Sequence, residues 1–259
     1  MKQSNLIRAA LAVFVTCGAV ACLFADDKHE DNATVAAAKD EAGFQPLFDG
    51  RSLNNWEGRE GFWRVEDGCI VGQTKEKFGG PNTFLVYKGE APSDFELRFE
   101  YRMQGGNSGI QYRSKMLDDN SKKLFRVGGY QADFDANNTF SGIVYDEAGV
   151  AGGRNIMAER GTRVTYEKDG QKKVEKLPMS NQELGAAIKK GDWNQYVVIV
   201  NGPHLIHKIN GNTTSEVIDH SDKALKSGIL ALQLHAGDPM KVEFRNLRIK
   251  KLDGGTSEK

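Results

Sequence analysis

Polar and apolar residues alternate over several short stretches of this chain, and a period of two predicts strands rather than helices. Over residues 95–103, Phe95, Leu97, Phe99, Tyr101 and Met103 share one face, while Glu96, Arg98, Glu100 and Arg102 share the other. Gly105-Gly106-Asn107 then turns into Ser108-Gly109-Ile110-Gln111-Tyr112-Arg113, which predicts a long hairpin. In that second arm Ile110 and Tyr112 oppose Gln111 and Arg113. In Tyr130-Gln131-Ala132-Asp133-Phe134 the polar pair is Gln131 and Asp133, and in residues 230–235 three leucines oppose Gln233 and His235. Glu66-Asp67-Gly68 reads as a tight turn between strands at 62–65 and 69–71. Residues 196–200 are apolar on both faces, which predicts a central strand, and 205–209 follow, closed by an Asn210-Gly211 turn. Val242 and Phe244 have a parity that Leu247 and Ile249 break, so a bulge is expected near Arg245-Asn246. One helix is expected over 181–190, with Ser180 and Glu183 as a capping box and Lys189-Lys190 at its C-terminal end. Many short strands separated by turns predict an all-β antiparallel sandwich of the jelly-roll kind with one short helix.

Charge and composition narrow the function. Thirty-five Lys and Arg balance 35 Asp and Glu, which gives no electrostatic case for nucleic acid or an anionic membrane as partner. Hydrophobic content of 39%, with 13 Phe, 7 Tyr and 3 Trp, suffices for one large core. Lys2 and Arg8 precede an apolar run at 9–25 that is too short for a membrane span and reads as an export signal cleaved after Ala25. A second reading takes Ala19-Val20-Ala21-Cys22 as a lipoprotein signal with Cys22 acylated, although Ala19 stands where Leu is usual. Both readings take the protein out of the cytoplasm, to the periplasm or beyond. Residues 26–43 read as a polar tether, 44–252 as the β-sandwich domain and 253–259 as a frayed tail. Cys69 is then the one remaining thiol, and it reads as a packed strand residue.

The outward-facing polar residues are unusual for a solvent face, which ordinarily carries Lys, Glu and Thr. Arg113, Gln131, Asp133, Gln233 and His235 are groups that grip hydroxyls and move protons, and they predict a working concave surface. Histidine is the side chain whose ordinary pKa lies near neutral pH, so His235 reads as the first candidate base or acid, with a structural role as its alternative. Asp133 reads as an acid/base group, a ligand to a divalent metal or a turn anchor. Arg113 alternatively pairs with the Glu100 row. Tyr145 is a donor to a carbonyl oxygen or a core aromatic. His207 has the parity of Leu205 and Ile209 and so faces the core by pattern, with function as its alternative. Trp56 and Trp193 have faces able to stack on a sugar ring, and Trp193 reads more naturally as structural. Gly149 to Gly153 lack the strand-turn-helix setting of a nucleotide loop. Asp118-Asp119-Asn120 reads as a solvated loop rather than a calcium site, and 168–176 as a projecting hairpin that shapes one wall of the groove. No closely spaced acidic pair of the kind a conventional glycanase needs is visible on a strand.

An ordered set of short motifs resembles the 3-keto-disaccharide hydrolase domain family, which has a concanavalin A-like lectin/glucanase sandwich. The carriers are Leu47-Phe48-Asp49-Gly50 with Trp56, Asn107-Ser108-Gly109-Ile110 with Arg113, Gly129-Tyr130-Gln131, and Gly142-Ile143-Val144-Tyr145. Gly191-Asp192-Trp193-Asn194, His207 with Asn210-Gly211, Gly228-Ile229 through Gln233-Leu234-His235, and Val242-Glu243-Phe244-Arg245-Asn246 complete it. The resemblance implies a sugar substrate whose C3 hydroxyl is already a ketone, which makes the C2 proton acidic. Such chemistry needs a base, a donor for the enolate oxygen and an acid for the departing C1 substituent. On this reading Arg113 binds the oxyanion or a hydroxyl, while Asp133 and His235 move protons. Gln131, Gln233, Tyr145, His207 and Trp56 contact the sugar. Glu is frequent in the family where Gln131 stands, so proton transfer at that position is not carried over. No cofactor is assigned with certainty, and a divalent metal stays open. The competing readings are a lectin-like binding domain and a conventional glycanase.

Overall fold

The computed structural model describes residues 41–117 and 124–253. The export signal, Cys22, the tether through residue 40, the Asp118-Asp119-Asn120 loop and the residues after 253 lie outside the described residues. In chain order the strands are β1 (Gln45–Pro46), β2 (Trp56–Gly58), β3 (Trp63–Glu66), β4 (Cys69–Thr74), β5 (Thr83–Tyr87) and β6 (Phe95–Gln104). Then come β7 (Asn107–Met116), β8 (Val127–Asp135), β9 (Val144–Glu147), β10 (Ile156–Ala158), β11 (Thr162–Tyr166) and β12 (Lys172–Lys176). Helix α1 (Asn181–Ala186) precedes β13 (Asn194–Asn201), β14 (His204–Ile209), β15 (Asn212–Asp219), β16 (Ile229–Leu234) and β17 (Met240–Lys251).

These strands form two sheets. A ten-stranded sheet runs β12-β11-β15-β14-β13-β6-β17-β4-β3 with β1 beside β17, and a seven-stranded sheet runs β10-β9-β8-β7-β16-β5-β2. Pairing is antiparallel except between β11 and β15. The alternation read from 95–103 is the physical cause of the layering. Phe95, Leu97, Phe99, Tyr101 and Met103 enter the buried cluster with Tyr196, Val198 and Phe244 of the same sheet and with Ile110, Tyr112, Tyr130, Phe134 and Leu232 of the other. Phe134 stacks on Tyr101 with centroids 3.8 Å apart, so the two sheets touch through aromatic faces. The all-β antiparallel sandwich is the observed architecture.

Local signals behave as their chemistry dictates. Asp67 and Gly68 both take positive φ, 51° and 74°, as the two-residue β3–β4 turn requires. The register of β17 shifts between Arg245 and Arg248 with Asn246 at φ 54°, which is the expected bulge. Ser180 and Glu183 make the reciprocal capping box, but α1 ends at Ala186, so Lys189-Lys190 lie beyond it. The 168–176 hairpin exists as β11–β12, yet it sits at the far edge of the ten-stranded sheet and lines no part of the cleft described below. Cys69 is a buried strand residue. Trp193 is held between Arg245 and Arg102 at 3.9 and 4.7 Å, a structural placement.

Candidate active site

The outer face of the seven-stranded sheet gathers most of the candidate residues. Residues that alternate with the core positions of β7, β8, β9 and β16 project there: Asn107 and Gln111, Gln131 and Asp133, Tyr145 and Glu147, and Gln233. All of these but Gln111 line, with Asn82, Phe140, Ile143 and His235, a cleft of about 530 Å³. Gln111 and Gln233 are 0% exposed, Gln131 1% and Asp133 5%, so this outward face is covered by its own side chains. Buried amides and carboxyls cost several kcal/mol unless hydrogen-bonded, about 2–7 each. Here each finds a partner.

The partners form a directional chain. The Ser114 hydroxyl faces only acceptors, Gln111 Oε1 at 2.7 Å and the carbonyls of Tyr112 and Tyr130, so it donates. That leaves Gln111 Nε2 to donate to Gln131 Oε1 at 2.6 Å. Gln131 Nε2 in turn donates to Asp133 Oδ2 at 2.9 Å and leans toward Gln233 Oε1 at 3.4 Å. Gln233 Nε2 points at Glu147 Oε2, also 3.4 Å away. Asn107 Nδ2 donates to Asp133 Oδ1 at 2.6 Å, and Asn82 Nδ2 donates to Glu147 Oε1 at 3.1 Å. Gly109 makes room for this arrangement: a Cβ there would lie 2.7 Å from both Gln131 Cγ and the Ala132 carbonyl oxygen.

Two carboxyl groups lining the cleft have raised pKa values. Burial raises Asp133 from its ordinary 3.8 to about 8, with the charges of Asp135 and Glu147 adding, against the donors Asn107 and Gln131. Glu147 is also raised, chiefly by burial, while Asn82, the neighbouring His235 and Gln233 oppose the shift. His235 follows β16, with Nδ1 against the Ala236 carbonyl. Burial and the negative charges of Glu147 and Asp133 also raise the Tyr145 hydroxyl, so it stays a donor. No group of three or more His, Cys, Asp and Glu placed to hold a metal ion occurs among the described residues.

Three expected site residues lie elsewhere. Arg113 sits in a β-bulge between Tyr112 and Lys115 with φ 45°, which reverses the parity that its sequence position implies. Gly129 faces this bulge, where any Cβ would run into Ser114. The guanidinium therefore leaves the outer face and ties the sandwich edge together. It donates to the carbonyls of Ser93 (2.9 Å), Gly202 (2.8 Å) and Leu225 (3.1 Å) and to Asp94 Oδ1 (2.9 Å). Its partner is Asp94, since Glu100 pairs with Arg245. His207 is fully buried between the sheets, with Nε2 2.8 Å from Tyr112 Oη and Nδ1 3.1 Å from Tyr196 Oη and the Ile143 carbonyl. Burial lowers its pKa to about 3, so it is a neutral core residue as its parity implied. Trp56 is buried with Nε1 donating to the Leu47 carbonyl, so its ring is not offered to a ligand. Conversely, Glu147 supplies the acidic partner that sequence reading did not find. The alternation of Tyr145 and Glu147 was the available signal.

Known proteins resemble this chain in part. A stretch of 95 residues is 32% identical to a protein of Bacteroides thetaiotaomicron named 3-keto-disaccharide hydrolase. The match covers 32% of this chain and 31% of that relative. A candidate glycosyl hydrolase from Parabacteroides distasonis shares the fold at 20% identity and TM-score 0.52, over 83% of this chain and 97% of its own. A galectin-like protein of unknown function from Bacillus subtilis does so at 13% identity and TM-score 0.53, over 80% and 94%. The family model of the 3-keto-alpha-glucoside-1,2-lyase-like domain matches residues 43–250, four-fifths of the chain, and the chain belongs to that family.

Proposed function

We propose that this protein is an exported carbohydrate-active enzyme that cleaves 3-keto-glycosides by elimination followed by hydration. The observation that carries the reading is the pair Asp133 and Glu147, one buried and one half-buried carboxyl, both with raised pKa and joined through Gln131 and Gln233 in one cleft. Family membership and the name of the Bacteroides relative support the substrate class.

In this reading Glu147 is the base and Asp133 the acid. Near neutral pH an acid with a pKa of about 8 is mostly protonated. Glu147 has two amide donors and the His235 ring beside it to favour its anion. Glu147 takes the C2 proton, and the electrons of the C2–H bond move toward the C3 carbonyl, giving an enolate. The Tyr145 hydroxyl and the Asn82 amide are the donors available to that oxygen. Reforming the C3 carbonyl creates the C1=C2 double bond and expels the C1 oxygen, which receives its proton from Asp133. Water then adds at C1 while a proton returns to C2, so the net reaction is hydrolysis. His235 and Gln233 bind ring hydroxyls and hold the sugar over the two carboxyls.

Matched glycosides, one native and one carrying the 3-keto group, test the reaction class. Cleavage of the keto partner alone is the expected result. Cleavage of the native partner would replace the reading with a conventional glycanase, and binding of either without cleavage would replace it with a lectin.

A further inference from the structure

Phe140 is one of two large apolar side chains exposed among the described residues, at 43%, and it lines the cleft. The other, Val174, belongs to the edge strand β12 of the opposite sheet. The loop bearing Phe140 is held from below. Asp135 accepts the backbone N–H groups of Thr139 (3.0 Å), Phe140 (2.7 Å) and Ser141 (3.1 Å). Arg160, 8% exposed, donates to Asn138 Oδ1 (2.8 Å), the Ser141 carbonyl (2.9 Å) and the Asn138 carbonyl (3.2 Å). Asn138 also donates to the Gly185 carbonyl at 2.7 Å, which anchors the loop to α1. An exposed aromatic ring on a loop so constrained has already lost the freedom that binding would otherwise cost.

Depth in the cleft indicates what the ring meets. Asp133 and Gln233 are covered at the floor, whereas Phe140 stands at the rim. A glycoside whose C1 and C2 reach the floor carboxyls must leave its departing residue nearer solvent. The apolar lining residues Phe140, Ile143, Ala148 and Ile156 all come from the β8–β10 side, where they sit among Tyr145, Glu147 and Asn155, while the β16–β5 side contributes the polar Asn82, Gln233 and His235. The C–H face of a ring therefore finds apolar contact on the Phe140 side, and its hydroxyls find polar partners on both.

We propose that Phe140 is a leaving-group platform, its ring packed on the apolar face of the sugar that departs from C1. This inference rests on the 3-keto-glycoside reading of the same cleft. It makes Phe140 a specificity residue: the enzyme favours 3-keto-disaccharides with a ring-shaped leaving group over 3-keto-glycosides with a small one.

The test compares wild type, Phe140→Ala and Phe140→Trp on a 3-keto-disaccharide and on methyl 3-keto-glucoside. Phe140→Ala should lower kcat/KM for the disaccharide about tenfold, the upper range of one aromatic contact, and leave the methyl glycoside within about twofold. Phe140→Trp should restore most of the loss. Equal losses on both substrates, or no loss on either, would overturn the proposal. A binding arm separates this inference from the reaction: affinity for the unoxidised disaccharide, measured by saturation-transfer NMR, should also fall in Phe140→Ala. If wild type cleaves neither keto substrate, the lyase reading fails. The binding arm then decides the platform alone, an unchanged affinity overturning it. Should Phe140→Ala not fold, saturation transfer from the wild-type Phe140 ring to the leaving-group sugar gives the same decision, and transfer confined to the other sugar overturns it.

Discussion

Asp133→Asn is expected to abolish turnover while making the protein more stable at pH 8. Loss of a general acid should lower kcat by roughly 100- to 10,000-fold. The gain in stability follows from linkage. The folded protein keeps the Asp133 proton up to about pH 8, whereas an unfolded carboxyl releases it near its ordinary 3.8. Between those values the folded state binds more protons than the unfolded one, so stability falls as pH rises through that window. Asn has no proton to lose and escapes the penalty. The variant should gain roughly 1–3 kcal/mol at pH 8, well below the shift taken in full at about 1.4 kcal/mol per unit. The full value is not reached because an amide at this position faces the Asn107 and Gln131 donors. Thermal melts of both proteins at pH 5 and pH 8 check this: the advantage of the variant should shrink toward pH 5. A variant less stable than wild type at both pH values would contradict a buried protonated acid. Wild-type kcat/KM should likewise decline as Asp133 ionises above about pH 8.

Arg113→Ala should damage the fold and spare the chemistry. Its guanidinium holds Ser93, Asp94, Gly202 and Leu225, which belong to three separate loops. Asp94 also accepts the Gly202 N–H, so removing Arg113 leaves a carboxylate and three carbonyls short of a partner. Both partners are largely covered, at 5% and 23% side-chain exposure, so breaking the pair should cost about 3–5 kcal/mol. Arg113→Lys should recover only part of it, since an ammonium cannot reproduce the planar fork. Chemical denaturation gives the stability loss, and kcat measured at low temperature on the folded fraction should stay near wild type. A kcat loss as large as that of Asp133→Asn, with stability unchanged, would return Arg113 to the active site.

The contrast between these two residues shows what the chain made legible. Alternation alone put Gln131, Asp133 and Gln233 on one face, because regular strands turn sequence parity into direction. Arg113 obeyed the same parity in sequence and broke it in space. Its left-handed backbone in the bulge is a conformation that Arg seldom takes and that no local residue choice announces. His207 lies on the core side, and there parity was the better guide than residue type; Trp56, singled out by residue type alone, is buried as well. Glu147 ends a four-residue strand running into a glycine-rich turn, so its alternation with Tyr145 was too short to stand out. The two acidic residues are also 14 positions apart in sequence, on β8 and β9, and only strand pairing brings them together. Phe140 carries no periodic signal, and its role depends on loop contacts from Asp135 and Arg160 that are visible only in three dimensions.

The fate of the C2 hydrogen tests the central claim most directly. A 3-keto-disaccharide deuterated at C2 would be cleaved in ordinary water, with the Glu147→Gln protein, which lacks the proposed base, as the control for spontaneous exchange. Elimination through Glu147 and Asp133 requires the C2–D bond to break in every turnover, so C2 deuteration should slow cleavage, and exchange of the Glu147 deuteron with water before hydration should place hydrogen at C2 of the 3-keto product. Cleavage at the undeuterated rate with deuterium fully retained would contradict the account.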